Sequence, residues 1–294
     1  MKALKFLQLL RPYQWIKNAF IFLPLFFNGQ LLNLSLVVAC IVGFVAFALA
    51  ASSIYCFNDI IDAKIDRAHP INKKRPIASG IISVQWAYIL MAFCLILSIA
   101  IILLFGNETK YAVLELILFY YILNIAYTLV LKKIPIIDVM IISIGFVLRI
   151  FVGGMATHIE LSEWIIIMTF LLALFLAFAK RRDDVILYEN EGVVIRKNAN
   201  RYNLAFMNQV LSVIAAVTII AYLMYTLSPD IIKQYNSKNV YLTSFFVIAG
   251  IIRYLQITIV DLKSENPTKI IYKDLFIQFC IIGWIGSFLL LIYL

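Results

Sequence analysis

The sequence is poor in the polar residues from which soluble enzymes build their surfaces and metal sites. Only 14% of the 294 residues are charged, and the chain has two histidines and four cysteines. With only His69 and His158 available, a histidine-based zinc or iron site is not expected. The cysteines are scattered through apolar stretches without the spacing of metal ligands, which favours small buried side chains. They are Cys40, Cys56, Cys94 and Cys280.

The sequence also lacks a low-complexity linker and a polar stretch long enough to fold alone. The longest polar stretch, 180–203, has about two dozen residues, which is too few for an independent core. We therefore expect a single transmembrane domain over residues 1–294. Near the N-terminus, Lys17 and the bulky residues after it leave no small-residue cleavage site. We interpret this end as an interfacial segment that leads into the first helix, and not as a cleaved signal peptide.

The sequence is rich in long hydrophobic stretches. Hydrophobic residues make up 64% of the chain and the mean hydropathy is +0.96, against roughly 45–50% apolar residues in a soluble domain. Several windows of about twenty residues carry almost no charge, which is the length that a helix needs to cross a bilayer. The sequence predicts an all-α, polytopic membrane protein with about nine transmembrane helices. We place them at 19–33, 37–57, 84–105, 111–130, 136–156, 163–180, 204–227, 240–260 and 273–293.

The net charge of +9 comes from cations that fall almost entirely on one side of these spans. If the N-terminus lies inside, 21 of the 25 lysines and arginines are cytoplasmic, three are outside and Arg149 lies within a span. This asymmetry is what the positive-inside rule describes, so we expect the inner (cytoplasmic) membrane, with the charged loops in the cytoplasm. The basicity then belongs to the membrane surface and to an anionic substrate, and no nucleic-acid partner is expected.

The strongest chemical signal is an acidic run, NDIIDAKIDR, at the end of the second predicted span (58–67). If the helix continues, Asp59, Asp62 and Asp66 line one face. Three carboxylates this close repel one another unless a positive charge lies between them. Mg²⁺ takes one or two carboxylates and completes its shell with water and substrate phosphates. We therefore predict a Mg²⁺ (or Mn²⁺) site in which these three residues are the metal ligands and catalytic residues.

A basic loop follows the acids directly. Arginine forks match phosphate oxygens, so Arg67 and Arg75 are candidates to bind a diphosphate. Two prolines restrict the loop and hold its cations near the acidic run. The alternative is a solvated loop in which the acids pair with Lys64, Arg67 and Lys73.

Together these motifs resemble a known family. The run NDxxDxxxDR at the end of the second span, followed by RPIASG before the third, is similar to the UbiA superfamily of intramembrane prenyltransferases. The resemblance covers nearly the whole chain and implies helices around a central cavity that is open to lipid. Further runs are most similar to the decaprenyl-phosphate phosphoribosyltransferase-like members. They are RPYQWIKN (11–18), YTLVLK (127–132), PIID (135–138), GFVLR (145–149) and FAKRR (178–182).

One departure from the prenyltransferases bears on the substrate. Their second acidic motif, DxxxD, helps to hold a second Mg²⁺ on a prenyl diphosphate, whereas here Asp138 has no acid four residues on. The chain instead has basic residues that can bind a second phosphate group, namely Lys132, Arg149, Lys180 and Arg181. A donor with both a diphosphate and a separate phosphate, phosphoribosyl pyrophosphate, would use them.

The resemblance therefore implies transfer of a 5-phosphoribosyl group from phosphoribosyl pyrophosphate to a polyprenyl (decaprenyl-type) phosphate, with Asp138 positioning the substrates. A prenyltransferase that acts on an aromatic or other acceptor is the enzyme alternative, and a transporter is the alternative of another class. For Lys17, a snorkelling membrane anchor is an equal alternative to phosphate binding. A structural pair between Asp138 and Arg149 is disfavoured by roughly 16 Å of helical rise. The predicted substrate-binding residues are Lys17, Asn58, Arg67, Arg75, Tyr127, Lys132, Arg149, Lys180 and Arg181.

Overall fold

The structure is a computed structural model, and it describes residues 2–68, 72–191, 201–262, 270 and 272–293. Throughout these residues the regular elements are helices, as the long apolar runs predict. A helix satisfies its backbone hydrogen bonds within one segment, which is what a bilayer interior requires. The chain forms two compact units, Met1–Leu161 and Ser162–Leu294.

The first unit is built on one long helix. This helix, α3, packs against α-helices before and after it in the unit. It also packs against a 3-10 helix near the N-terminus, Pro12–Phe22, which we call the N-terminal 3-10 segment. Two shorter 3-10 turns, Asn72–Lys74 and Leu131–Lys133, lie in the loops. The α-helices are α1 (Lys2–Leu10), α2 (Leu23–Phe27), α3 (Leu34–Ala68), α4 (Val84–Phe105), α5 (Lys110–Leu129) and α6 (Ile137–Thr157).

Small residues on α3 let its neighbours approach closely. Ala46, Ala50 and Ala51 are buried in an apolar cluster that also contains Phe47 and, from α6, Val152. Close helix approach over small side chains is the usual packing mode inside membranes, where dispersion contacts replace the hydrophobic drive of water. The result is a tight core against which the N-terminal 3-10 segment docks.

In the second unit the long helices pack on one another in chain order. Helix α7 packs on α8, α8 on α10, and α10 on the last helix. The side chain of Asn203 accepts a hydrogen bond from the backbone amide of Phe206, and Asp274 accepts one from that of Ile277, so both act as N-caps. The elements are α7 (Glu163–Glu191), α8 (Leu204–Leu227), α9 (Pro229–Gln234), a 3-10 helix (Lys238–Thr243), α10 (Ser244–Ile259) and α11 (Leu275–Tyr293).

Within the described residues, eight helical stretches are long and apolar enough to cross a membrane, and they match eight of the nine predicted spans. The first prediction, 19–33, differs. It is a 3-10 helix up to Phe22, then the five-residue α2, then turns. Pro24 has no backbone N–H to give to a helix, and the polar residues after Phe27 end the element. The second prediction ended at 57, just before the charged residues, but α3 runs on through them to Ala68.

Candidate active site

The acidic run lies on the last turns of α3, as predicted. Because the helix continues to Ala68, Asp59, Asp62 and Asp66 share one face at spacings of three and four residues. Asp59 and Asp66 are almost fully buried, with 2% and 4% of their surface exposed, whereas Asp62 is half-buried. Buried carboxylates require partners that replace water.

Each of these carboxylates is paired with a cation from another part of the first unit. Asp59 accepts hydrogen bonds from Arg11 at 2.6 Å and from Arg75 at 3.3 Å. The same Arg75 nitrogen donates to Asp66 at 2.7 Å. Lys132 donates to both oxygens of Asp62, at 2.6 and 2.9 Å. The repulsion expected among the acids is therefore offset by the protein's own cations.

The alternative prediction paired the acids with Lys64, Arg67 and Lys73, whereas the structure pairs them with other cations. Lys64 and Arg67 are exposed, because on a continuous helix they project away from the face that carries the acids. Lys73 is exposed in the loop that follows. Arg67 forms no ion pair with any residue that the structure describes, so its predicted role in phosphate binding stays a prediction.

Arg11 is a site residue that was not predicted from the sequence. It stands in the RPYQWIKN run, where the signal was an arginine directly before a proline. Its backbone is left-handed (φ 52°, ψ 56°), and its guanidinium lies 5.2 Å from the ring centroid of Tyr55. Burial, the largest single effect, opposes the charged form, but the charges of Asp59, Tyr13 and Tyr55 together with the hydrogen bond to Asp59 outweigh it and raise the pKa of Arg11 above its ordinary value. Arg11 is thus a permanent cation beside Asp59.

The end of α5 is tied to the acidic face through Asn58. The hydroxyl of Thr128 hydrogen-bonds to Oδ1 of Asn58, and Thr128 itself is buried. Thr128 was not among the predicted site residues, although it follows Tyr127 directly. Tyr127 is half-buried in the last turn of α5, and Lys17 is half-buried in the N-terminal 3-10 segment.

Helix α6 contributes two buried charged residues, Asp138 near its start and Arg149 three turns further on. The two do not pair with each other, as the rise between them predicts. Arg149 donates from Nε to Oδ1 of Asn18 at 2.8 Å and from Nη1 to the carbonyl of Gly145 at 2.6 Å. Three aromatic rings surround its guanidinium. They are Phe47, Phe146 and Tyr120, with centroids at 4.6, 5.2 and 5.3 Å.

The remaining predicted cations belong to the second unit. Lys180 is exposed on α7, and Arg181 is buried and pairs with Asp184 at 3.1 Å. The next residue, Arg182, is also buried and donates to the Asn208 side chain and to the backbone of α10, both at 2.7 Å. Neither Arg182 nor the acids after it were among the predicted site residues. The predicted phosphate contacts of Lys180 and Arg181 stay predictions.

The acidic face fits a divalent cation that prefers oxygen ligands. Its carboxylate oxygens are the donors that Mg²⁺ prefers. In the described part of the chain, however, no three acidic, histidine or cysteine side chains converge as a ready-made metal cage. A site that uses one or two of the three carboxylates and completes its shell with substrate phosphates fits this arrangement.

Fold and site together define a multi-pass membrane protein with a charge-paired polar cluster at the end of α3, the long helix of the first unit. Comparison with known proteins makes the class specific. Residues 19–279 match the model of the UbiA prenyltransferase family. The chain belongs to this family, and it is an integral membrane transferase.

Two curated relatives and two solved structures show how far the similarity extends. The decaprenyl-phosphate phosphoribosyltransferase of Mycolicibacterium smegmatis is 32% identical over 94% of this chain and 89% of its own length. That of Corynebacterium glutamicum is 30% identical over 97% and 86%. A UbiA homologue from Archaeoglobus fulgidus, bound to DMAPP and Mg²⁺, superposes with a TM-score of 0.72 at 20% identity, covering 98% of this chain and 99% of that one. One from Aeropyrum pernix gives 0.68 at 15% identity, covering 96% and 98%.

The structural matches confirm the predicted all-α, polytopic fold class. The family match runs through both compact units. The expectation that residues 1–294 act as one domain remains a prediction.

Proposed function

We propose that this protein transfers a 5-phosphoribosyl group from phosphoribosyl pyrophosphate to a polyprenyl phosphate, with Mg²⁺ or Mn²⁺ as the metal. Curated relatives named decaprenyl-phosphate phosphoribosyltransferase match nearly the whole chain at about 30% identity, which supports this reaction over others in the family. We further propose that the protein lies in the cytoplasmic membrane with the acidic face of α3 toward the cytoplasm, on the basis of the one-sided cations.

The observation that carries the proposal is the charge balance of the acidic face. Three carboxylates of α3 are neutralised by Arg11, Arg75 and Lys132, which come from three separate stretches of the first unit. A cluster without net charge can accept a diphosphate and its metal ion together, because their charges largely cancel as well. The carboxylates would then bind the metal, and the cations that they now pair with would bind phosphate oxygens through charge-assisted hydrogen bonds.

In this mechanism Asp59 and Asp62 would hold the metal, and Asp66 would support it directly or through water. When bound, the metal ion supplies Lewis-acid stabilisation of the leaving diphosphate. Arg11, Arg75 and Lys132 bind the diphosphate oxygens where charge develops as it leaves. The lipid phosphate oxygen forms a bond to C1 of the ribose while the bond from C1 to the diphosphate oxygen breaks, and pyrophosphate departs with that electron pair. The attacking oxygen is already anionic, so Asp138 positions the substrates and does not deprotonate them.

Prenyl transfer is the second candidate, because the Archaeoglobus homologue was solved with DMAPP and, separately, with GPP. At 20% and 19% identity this likeness concerns the fold. Membership of a transferase family sets the transporter alternative aside.

The test gives the purified protein both kinds of donor. Radiolabelled phosphoribosyl pyrophosphate and radiolabelled prenyl diphosphates are incubated separately with the protein in proteoliposomes, with polyprenyl phosphate or an aromatic acceptor. We expect label from phosphoribosyl pyrophosphate to enter the lipid extract, to depend on Mg²⁺ and to be absent with Asp62→Asn. Consumption of a prenyl diphosphate with an aromatic acceptor, and none of phosphoribosyl pyrophosphate, would establish the second candidate.

A further inference from the structure

The N-terminal 3-10 segment is fixed in place by polar contacts to buried groups of α3 and α6. The indole nitrogen of Trp15 donates to the hydroxyl of Ser52 at 3.0 Å, and Ser52 donates to the carbonyl of Leu10 at 2.9 Å. Asn18, one turn further on, accepts from Arg149. At eleven residues the segment is much longer than most 3-10 helices, which have poorer hydrogen-bond geometry than α-helices. Its conformation therefore depends on these external contacts.

The far end of the segment lies against the backbone of α6. A Cβ atom built on Gly153 would be 2.0 Å from the carbonyl oxygen of Ile21, so only glycine admits this approach. The thiol of Cys40 on α3 faces the same carbonyl at 3.8 Å. The segment is thus held against both helices along its length.

The Asn18–Arg149 hydrogen bond is the central contact of this docking. Asn18 is 1% exposed and Arg149 is 4% exposed. Because Nε of Arg149 can only donate, the amide oxygen of Asn18 must face it, which fixes the amide orientation. Nδ2 of Asn18 then has no acceptor among the described residues. A buried guanidinium inside a membrane span is energetically costly, so a functional role for Arg149 is the default hypothesis.

The near end of the segment carries the site residue Arg11. Arg11 and Asn18 are seven residues apart, so at a rise of about 2.0 Å per residue they lie about 14 Å apart along the axis of the segment. Arg11 has a left-handed backbone and directly precedes Pro12, the first residue of the segment, whose φ is fixed by its ring. The orientation of the Arg11 side chain therefore depends on the position of the start of the segment. A small shift of the docked segment moves the guanidinium away from Asp59, to which it donates at 2.6 Å.

We propose that Asn18 and Arg149 are positioning residues: through the docked 3-10 segment they hold Arg11 against Asp59 on the acidic face. This gives Arg149 a role that needs no contact with phosphate. The aromatic rings and the Gly145 carbonyl satisfy the rest of its guanidinium where it stands. The kinetic part of the test below rests on the proposed function, and the exchange part does not.

Two substitutions at one position separate positioning from direct contact with substrate. Asn18→Asp keeps an oxygen that accepts from Arg149 but removes the Nδ2 donor, whereas Asn18→Ala removes both. If Asn18 positions the segment, the aspartate variant retains function and the alanine variant loses it. If Nδ2 binds a substrate oxygen, both variants lose function equally. Asn18→Leu, which has as many side-chain heavy atoms as asparagine but no polar atom, replaces Asn18→Ala if the alanine variant is poorly recovered.

The first measurement is hydrogen–deuterium exchange of the backbone amides of residues 13–22 in nanodiscs, without substrate. Losing one buried charge-assisted contact is expected to speed exchange about tenfold in Asn18→Ala, by about 1.4 kcal/mol per decade. Asn18→Asp and the control Ser98→Ala should exchange as the wild type does. Ser98 also makes a buried hydrogen bond to α3, 2.7 Å to the carbonyl of Ala46, but it lies outside the segment. Unchanged exchange in both Asn18→Ala and Asn18→Leu would overturn the proposal.

The second measurement is the KM for phosphoribosyl pyrophosphate. We expect Arg11→Ala and Asn18→Ala each to raise it about tenfold and the double variant to raise it no further, because both act through one guanidinium. Effects that multiply in the double variant, or equal losses in Asn18→Asp and Asn18→Ala, would contradict positioning. If no variant or wild type uses this donor while the exchange results hold, the proposed function fails and the positioning role survives.

Discussion

Neutralising Asp59 or Asp62 should have the same effect on activity and very different effects on stability. Both carboxylates are proposed metal ligands, so Asp59→Asn and Asp62→Asn are each expected to abolish transfer. Asp59, however, is 2% exposed and holds two arginines. Asp62 is half-buried and holds one lysine, with 27% of its own side chain and 18% of that of Lys132 exposed.

The magnitudes follow from these environments. Removing one partner of a buried ion pair leaves the other charge uncompensated, which costs about 3 kcal/mol or more. Asp59→Asn leaves Arg11 without its carboxylate, but the Arg11 side chain is 20% exposed, so we expect a smaller loss of about 2 kcal/mol. A partly exposed pair such as Asp62 with Lys132 contributes about 0.5 kcal/mol, so Asp62→Asn should be nearly as stable as the wild type.

The assay measures thermal unfolding in detergent and phosphoribosyl transfer on the same preparations, with and without Mg²⁺. We expect Mg²⁺ to raise the unfolding midpoint of the wild type, because a ligand that binds only the folded state stabilises it. Neither asparagine variant should show that rise. Full turnover of Asp62→Asn, or turnover of the wild type in excess chelator, would refute the metal assignment. Wild-type stability of Asp59→Asn would refute the pairing with Arg11 and Arg75.

Two further predictions concern topology and pH. An impermeant thiol reagent added to sealed cells should modify a cysteine introduced at Thr109 and not one introduced at Lys64; the opposite pattern would reverse the membrane orientation. Hydrogen bonds from Arg253 hold the pKa of Asp274 below its ordinary value, so its stabilisation is present above about pH 3.9 and is lost as the pH falls through the folded pKa. Unfolding midpoints measured between about pH 5 and 3 should therefore fall more steeply for the wild type than for Asp274→Asn, and equal slopes would contradict the pairing.

The sequence alone determined the membrane class, most of the spans and the face that carries the acids. These features depend on local quantities, namely apolar length and the helical spacing of Asp59, Asp62 and Asp66. The spans at 84–105 and 204–227 match α4 and α8 because sharp polar boundaries flank them. The first predicted span is not one continuous α-helix but a 3-10 helix followed by the short α2, a difference that a composition window does not reveal.

The partners of the charged residues were decided only by the tertiary structure. Arg11 lies 48 residues from Asp59 in sequence, and Lys132 lies 70 from Asp62. The cations that are near in sequence, Lys64 and Arg67, project away because the helix does not stop where the charges begin. Arg149 is visible in the sequence as an isolated charge in a span. Its contact with Asn18 depends on how a 3-10 helix packs against α6, and no local pattern encodes a contact across 131 residues.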